Sequence, residues 1–207
     1  VTETARRGRF IAFEGGEGCG KSTQAALLAD QLDALLTREP GGTSLGQRLR
    51  DLLLDPNADH VDPRAEALLM AADRAQHVAT VVRPALAAGQ HVVTDRFAGS
   101  SLAYQGYGRG LPLDEVRALS AWATGDTWPD LVVLIDLPVD VAAARLGGQL
   151  DRFERADGGF HQRVADGFRE LAAADPEQWV VIDGAAPVEE VAAAVRTAVA
   201  ERLDLTA

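Results

Sequence analysis

Residues 15–22, Gly-Gly-Glu-Gly-Cys-Gly-Lys-Ser, constrain the fold of this chain more than any other stretch. They fit the spacing G-x-x-x-x-G-K-[ST], which wraps a backbone loop round nucleotide phosphates. The flanks supply the context the motif needs. Phe10-Ile11-Ala12-Phe13 is short, apolar and strand-like, and residues 23–29 are rich in good helix formers. A buried strand feeding a loop that opens a helix brings unpaired N–H groups and the positive end of the helix dipole to one point, where an anion is stabilised. Gly15, Gly16, Gly18 and Gly20 let the loop close on phosphate oxygens, with Glu17 and Cys19 between them. Lys21 can reach the β- and γ-phosphates, and the Ser22 hydroxyl can hold Mg²⁺. The stretch predicts a nucleoside triphosphate site.

Apolar β-type runs alternate with helical patterns along the whole chain, which predicts an α/β fold: a five-stranded parallel sheet with helices on both faces. Strands are expected over 9–14, 34–37, 91–94, 131–137 and 179–183. Helices are expected over 21–32, 45–54, 63–88, 114–122, 139–146, 160–173 and 188–203. Thr43 or Ser44 can cap the second of these. Pro84 predicts a kink or break in the long third one. Residues 100–105 read as a short helix and 106–110, with three glycines, as a flexible turn. A polar, basic, glycine-hinged stretch at about 147–157 is a candidate lid. No linker, repeat or low-complexity tract divides the chain, so residues 1–207 are expected to form a single domain.

Charge limits the partners. Acidic residues number 31 against 20 basic ones, a formal net charge of −11, which disfavours a nucleic-acid backbone. A small anion remains possible, because a local arginine cluster outweighs the global charge. One cysteine rules out an internal disulfide and a cysteine-based zinc site, as suits the cytoplasm. No apolar run approaches a membrane span, and residues 1–8 read as a frayed lead-in without a signal-peptide core.

Phosphoryl transfer needs Mg²⁺, cations round the moving group and an anchored acceptor. Arg38 and Arg96 directly follow strands, Arg74 lies on the long helix, and Arg152 and Arg155 lie in the candidate lid. Each alone is an ordinary surface arginine; together they suit a two-anion site. Asp95 ends the third strand, where ligands of open parallel sheets bind. It can hold Mg²⁺, accept a hydroxyl proton, or simply cap the next turn.

Four segments carry a family resemblance. Thr94-Asp95-Arg96-Phe97-Ala98-Gly99-Ser100-Ser101-Leu102-Ala103-Tyr104-Gln105-Gly106 resembles the signature of thymidylate kinases. Arg38-Glu39-Pro40-Gly41-Gly42-Thr43 and Ala72-Asp73-Arg74-Ala75-Gln76 are similar to hallmarks of the bacterial members, and Leu150-Asp151-Arg152-Phe153-Glu154 resembles their lid. The segments stand in the family's order and span nearly the whole chain.

The resemblance implies a P-loop NTPase fold and the reaction ATP + dTMP → ADP + dTDP, with ATP on residues 15–22 and Mg²⁺ at Ser22 and Asp95. It implies that Lys21, Asp95, Arg96 and Arg152 serve catalysis. Arg96 would bind the acceptor phosphate and Glu17 the region of the 3′-hydroxyl. Arg74 and Ser101 would address the pyrimidine edge, Tyr104 would crowd the 2′ position, and Arg38 and Gln105 would line the pocket. A homodimer is implied, through the helices of 63–88 and the segment after Gly99. Some members carry the catalytic arginine in the phosphate loop, at the position of Gly18; here that role would fall to Arg152 in the lid.

Three departures stand out. Met70 occupies a position where an aromatic usually stacks on thymine; it either packs on the base or fills core. The link from the first helix to the second strand is short, and Cys19 stands where a smaller residue is common. Trp122, Trp128 and Trp179 read as core or subunit-contact residues. His60, His77, His91 and His161 lack metal-ligand spacing. Two other readings remain open: another small nucleoside or nucleotide kinase, and an NTP-driven switch. An N-K-x-D guanine-specificity element, which would favour the switch, is not found.

Overall fold

In the computed structural model, which describes residues 7–56, 61–146 and 151–205, five strands form one parallel sheet. They are β1 (Phe10–Glu14), β2 (Leu35–Arg38), β3 (Val92–Asp95), β4 (Leu131–Asp136) and β5 (Trp179–Asp183). Their spatial order is β2-β3-β1-β4-β5. The three central strands are near-continuous apolar runs, as burial on both faces requires, whereas the edge strands β2 and β5 alternate between covered and exposed residues.

Alternate residues of β1 and β4 point to opposite layers. Ile11, Phe13, Val133 and Ile135 pack with Ala25 and Leu28 of α1 (Lys21–Gln31). On the other face, Phe10 and Ala12 meet Val78, Val82 and Leu86 from the long helical run that starts as α3. That run is α3 (Pro63–His77), a π-helical turn (Val78–Val82) and α4 (Arg83–Ala87). It follows α2 (Ser44–Leu54), whose cap is Thr43: its hydroxyl accepts the Gly46 N–H at 2.9 Å.

After β3 come α5 (Ala98–Ser101), a second π-helical run (Leu102–Gly108) and α6 (Leu113–Thr124). The chain closes with α7 (Val139–Arg145), α8 (Gly158–Ala174) and α9 (Val188–Leu203). Val132 and Leu134 of β4 bury against Phe160, Val164 and Phe168 of α8, with Leu102 and Tyr104 between. Val191, Val195 and Val199 of α9 complete the opposite layer.

Four expectations are narrowed or corrected. Pro84 neither breaks nor ends the long helical run. The Arg83 N–H bonds Val78 O, five residues back, so the widened turn accommodates a proline that would otherwise clash with the carbonyl of Thr80. Residues 106–108 are helical, with Gly106 and Gly108 buried. A Cβ at Gly108 would lie 2.6 Å from the Phe160 ring, so this glycine permits α8 to approach closely. Trp122 is 82% exposed and is not core, while Trp179 is buried. The second strand lies one residue later than expected, Leu35–Arg38; Asp33, with φ 47°, makes the short link from α1. Of the expected lid, 147–150 lie outside the described residues, as do 1–6 of the lead-in and 57–59 of the loop after α2.

Candidate active site

The loop after β1 and the turn after β3 face each other across the C-terminal edge of the sheet, because β1 and β3 are neighbours with Phe13 opposite Asp95. On the loop side, Gly20 caps α1 in a left-handed conformation, leaving the first N–H groups of the helix free for an anion. Lys21 is 5% exposed and its Nζ donates to Gly16 O at 3.0 Å. Gly18 has φ 70°, and a Cβ there would lie 2.5 Å from Ala142 O. Cys19 is buried with its Sγ beneath Gly15, a space-filling role.

Ser22 Oγ donates to Asp95 Oδ2 at 2.5 Å. The other oxygen, Asp95 Oδ1, is buried and has no hydrogen-bond partner among the described residues. A hydroxyl and a carboxylate with a spare lone pair at the start of α1 fit a hard dication that completes its shell with phosphates and water. The described residues contain no cluster of three or more His, Cys, Asp or Glu suited to a metal. Arg38 is exposed and lines the open groove beside Ser22 and Asp95; it does not line the cleft that holds the other candidate substrate residues.

That cleft, about 580 Å³ with its mouth included, is bounded by Glu17 and Arg96 at one end and by Met70, Arg74, Ser101 and Gln105 at the other. Tyr104 stands between the two ends. Arg96 adopts φ 74°, a left-handed conformation costing about 1–3 kcal/mol in a non-glycine residue. Its backbone compensates in part: its N–H donates to Phe13 O at 2.9 Å, and its carbonyl accepts Thr94 Oγ1 at 2.9 Å. The guanidinium is held on every side. Nη1 donates to Gly15 O at 2.9 Å and Ser100 Oγ at 3.0 Å, and Nη2 to Glu17 Oε1 at 2.6 Å and Tyr104 Oη at 3.0 Å. Tyr104 in turn donates to Glu17 at 2.8 Å.

These contacts set the charges. Burial alone would raise Glu17, but Arg96 and Lys21 reverse that and hold its carboxyl at about 2. Burial opposes the Arg96 charge, yet Glu17 pushes its pKa above the ordinary range. Burial raises the Tyr104 hydroxyl well above its usual value, so it remains a donor at neutral pH.

Arg74 is fixed at the far end. Its Nε donates to Glu39 Oε2 at 2.8 Å and its Nη2 to Phe97 O at 3.0 Å and Ser101 Oγ at 3.1 Å. His77 Nδ1 shares Glu39 through Oε1 at 2.8 Å. Beside them Asp73 is buried, receives Gly41 N–H at 3.1 Å and keeps Oδ2 unpartnered among the described residues. Burial, then Glu39, raises its carboxyl to about 6.

Arg152 is turned away from the phosphate loop. Its Nη1 donates to Glu66 Oε2 at 2.7 Å and its Nε to Leu53 O at 2.8 Å. Its Nη2 is buried without a partner among the described residues, and the guanidinium lies 4.5 Å from the centre of the Phe153 ring. Arg155 reaches Pro56 O at 3.2 Å. The arrangement thus unites residues 15–22 with Asp95 and Arg96, and Arg96 with Met70, Arg74, Ser101, Tyr104 and Gln105. It leaves Arg38 on the adjoining groove and Arg152 on Glu66.

Three residues escaped sequence reasoning. Arg50 on α2 lines the cleft, with Nη1 on Pro40 O at 3.0 Å; burial lowers its pKa, followed by the like charges of Arg38 and Arg96. Glu66, fully buried, accepts from Gln105, Arg109 and Arg152. Glu14, also fully buried, underlies the turn of Arg96. A signal existed for Glu14: a lone acid ending an otherwise apolar strand.

A phosphate loop at the edge of a five-stranded parallel sheet, facing a cleft lined by arginines, defines the P-loop NTPase class of fold. The family profile described as Thymidylate kinase matches residues 13–195. Among curated relatives, the thymidylate kinase of Clavibacter michiganensis is 52% identical over 200 residues, 92% of this chain and 93% of that protein. The thymidylate kinase of a Synechococcus strain is 52% identical over 201 residues, covering 95% and 96%. A solved thymidylate kinase from Ehrlichia chaffeensis superposes with a TM-score of 0.77 at 32% identity, covering 93% of this chain and 99% of that one. The chain belongs to the thymidylate kinase family.

Proposed function

We infer that this enzyme works as its family does: it transfers the γ-phosphoryl group of ATP to dTMP, giving ADP and dTDP in nucleotide biosynthesis. The single observation that carries the reading is the convergence of the phosphate loop and a left-handed Arg96, held through both Nη atoms, on one cleft. A guanidinium held through both Nη atoms keeps a fixed direction, and an incoming phosphate would take the place of one of those partners.

The roles divide as follows. Residues 15–22 wrap the ATP phosphates, with Lys21 leaving Gly16 O for the β- and γ-oxygens. Mg²⁺ at Ser22 and Asp95 would neutralise charge on those oxygens. Arg96 and Arg50 receive the acceptor phosphate, and Glu17, ionised at neutral pH, accepts the 3′-hydroxyl. Tyr104 fills the space a 2′-hydroxyl would need. Arg74 and Ser101 donate to the pyrimidine edge, with Gln105 beside them and Met70 against the ring. Arg152 moves from Glu66 to the transferring phosphoryl when the lid closes, and Arg38 guards the groove at Asp95.

The chain acts as one domain and as a homodimer. Trp122, 82% exposed on α6, and Leu68, 59% exposed on the adjacent α3, supply an apolar surface that a second copy would cover. No helix among the described residues is long and apolar enough to cross a membrane, and a single buried cysteine accords with the cytoplasm. The testing experiment is a coupled ADP-release assay with dTMP, dUMP, UMP and AMP side by side, with and without Mg²⁺. Preference for dTMP and dependence on Mg²⁺ are expected; preference for AMP or UMP would overturn the reading. Sedimentation at micromolar protein tests the dimer, a monomer counting against it.

A further inference from the structure

We propose that Glu14 is a positioning residue for Arg96: it builds the turn that presents the guanidinium and, through Ser100, fixes the guanidinium itself. The inference rests on the reading of Arg96 as the ligand of the acceptor phosphate.

Glu14 ends β1 immediately before the phosphate loop and is 0% exposed. A carboxylate at such depth is costly unless its lone pairs are filled. They are filled by one short segment. Oε1 accepts the backbone N–H of Phe97 at 3.0 Å and of Ser100 at 2.9 Å. Oε2 accepts Ser100 Oγ at 2.5 Å. Ser100 Oγ also accepts Arg96 Nη1 at 3.0 Å, so carboxylate, hydroxyl and guanidinium form a continuous relay.

The first turn of α5 has no cap of its own, because Phe97 precedes it and makes no side-chain bond there. Glu14 therefore caps it from the neighbouring strand. The cap sits one residue beyond Arg96, whose left-handed backbone needs an external constraint to persist. Gly99 is tied to the same acid: a Cβ there would lie 2.8 Å from Glu14 Oε1 and 2.8 Å from the Trp179 ring. Arg96, Phe97, Gly99 and Ser100 thus answer to one buried carboxylate that lines no part of the cleft itself.

The role acts on the phosphate of dTMP and on nothing else in the substrate, which sets the test. Dissociation constants for dTMP and for thymidine, which lacks the phosphate, are measured by titration calorimetry for the parent and for Arg96→Ala, Ser100→Ala, Glu14→Ala and Glu14→Gln. Binding of ATP to each variant, within twofold of the parent, reports that the fold is intact. Arg96→Ala should collapse the preference for dTMP over thymidine; a preserved preference would refute the reading of Arg96 itself.

With that established, Ser100→Ala and Glu14→Ala should each cut the preference about tenfold or more, with thymidine affinity unchanged. Glu14→Gln should restore most of it, since its amide still accepts the two N–H groups. Ser100→Ala breaks the relay while leaving the cap in place, so it remains informative if Glu14→Ala does not fold. Equal loss for thymidine and dTMP, or a preference within twofold of the parent in Ser100→Ala, would overturn the inference for Glu14 alone.

Discussion

Arg152 Nη1 donates to Glu66 Oε2 at 2.7 Å, joining the lid arginine to a fully buried carboxylate on α3. Glu66 also holds Arg109 and Gln105, so the same acid anchors the segment of Arg152 and one wall of the cleft. Removing it strands two cations and an amide. Glu66→Ala should lower stability by about 3–5 kcal/mol in a urea titration. Arg152→Ala should reduce kcat about a hundredfold or more, with the dTMP dissociation constant within threefold of the parent. Unchanged turnover would remove Arg152 from the chemistry.

Asp95 offers a test of the metal. Its free Oδ1 and its link to Ser22 suit a dication, and it borders the groove on the triphosphate side. Asp95→Asn should raise the Mg²⁺ concentration for half-maximal rate tenfold or more, while dTMP affinity stays within threefold. Equal Mg²⁺ requirements in the two proteins would exclude Asp95 as a ligand.

Met70 lines the cleft and packs against the hydrophobic cluster that includes Phe160 and Phe168, so it is placed for either of the roles considered from sequence. A thioether against a ring is worth about 0.3–1.5 kcal/mol. Met70→Ala should therefore weaken dTMP roughly two- to tenfold, and Met70→Phe should tighten it. Calorimetric dissociation constants that match the parent in both variants would detach Met70 from the base.

Glu14 and Glu17 respond to pH in opposite senses. Burial raises Glu14 from 4.5 to about 7, so its contribution is greatest below 4.5 and is lost as pH climbs to 7. Glu17 is held at about 2, because Arg96 and Lys21 overcome its burial; its contribution is present above 4.5 and is lost as pH falls toward 2. Each displacement corresponds to on the order of 3 kcal/mol, so near neutral pH the contribution of Glu17 is present and that of Glu14 is largely lost. Glu14→Gln carries no titrating proton. Its melting temperature relative to the parent should rise between pH 5 and pH 8, and a constant difference would contradict the burial of a charge at Glu14.

The parts of the protein read correctly from sequence are those written in short-range code. The apolar runs of β1, β3 and β4 gave the sheet, and the glycine spacing of 15–22 gave the phosphate loop. The segment from Asp95 to Gln105 led to the family because its residues converge within a few turns of backbone. What escaped depends on distant neighbours. Glu66 sits in the first turn of α3 after Pro63, where an acid is unremarkable; only the approach of Arg109 and Arg152 makes it a hub. Pro84 suggests a break by local rules, yet the widened turn over Val78–Val82 carries the helical run past it, and Gly106, which suggests a turn, lies inside the π-helical run Leu102–Gly108. Spacing alone leaves Trp122 as core or subunit contact; its exposure of 82% removes the first of these, a distinction that depends on tertiary packing.

Gly18 has a meaning for descent as well as for catalysis. Its φ of 70° and the Ala142 carbonyl 2.5 Å from any Cβ leave no room for a side chain unless α7 retreats. An arginine introduced there by a single substitution would meet a wall before it met a phosphate. In this chain, then, a charge can enter the loop at position 18 only after α7 has shifted.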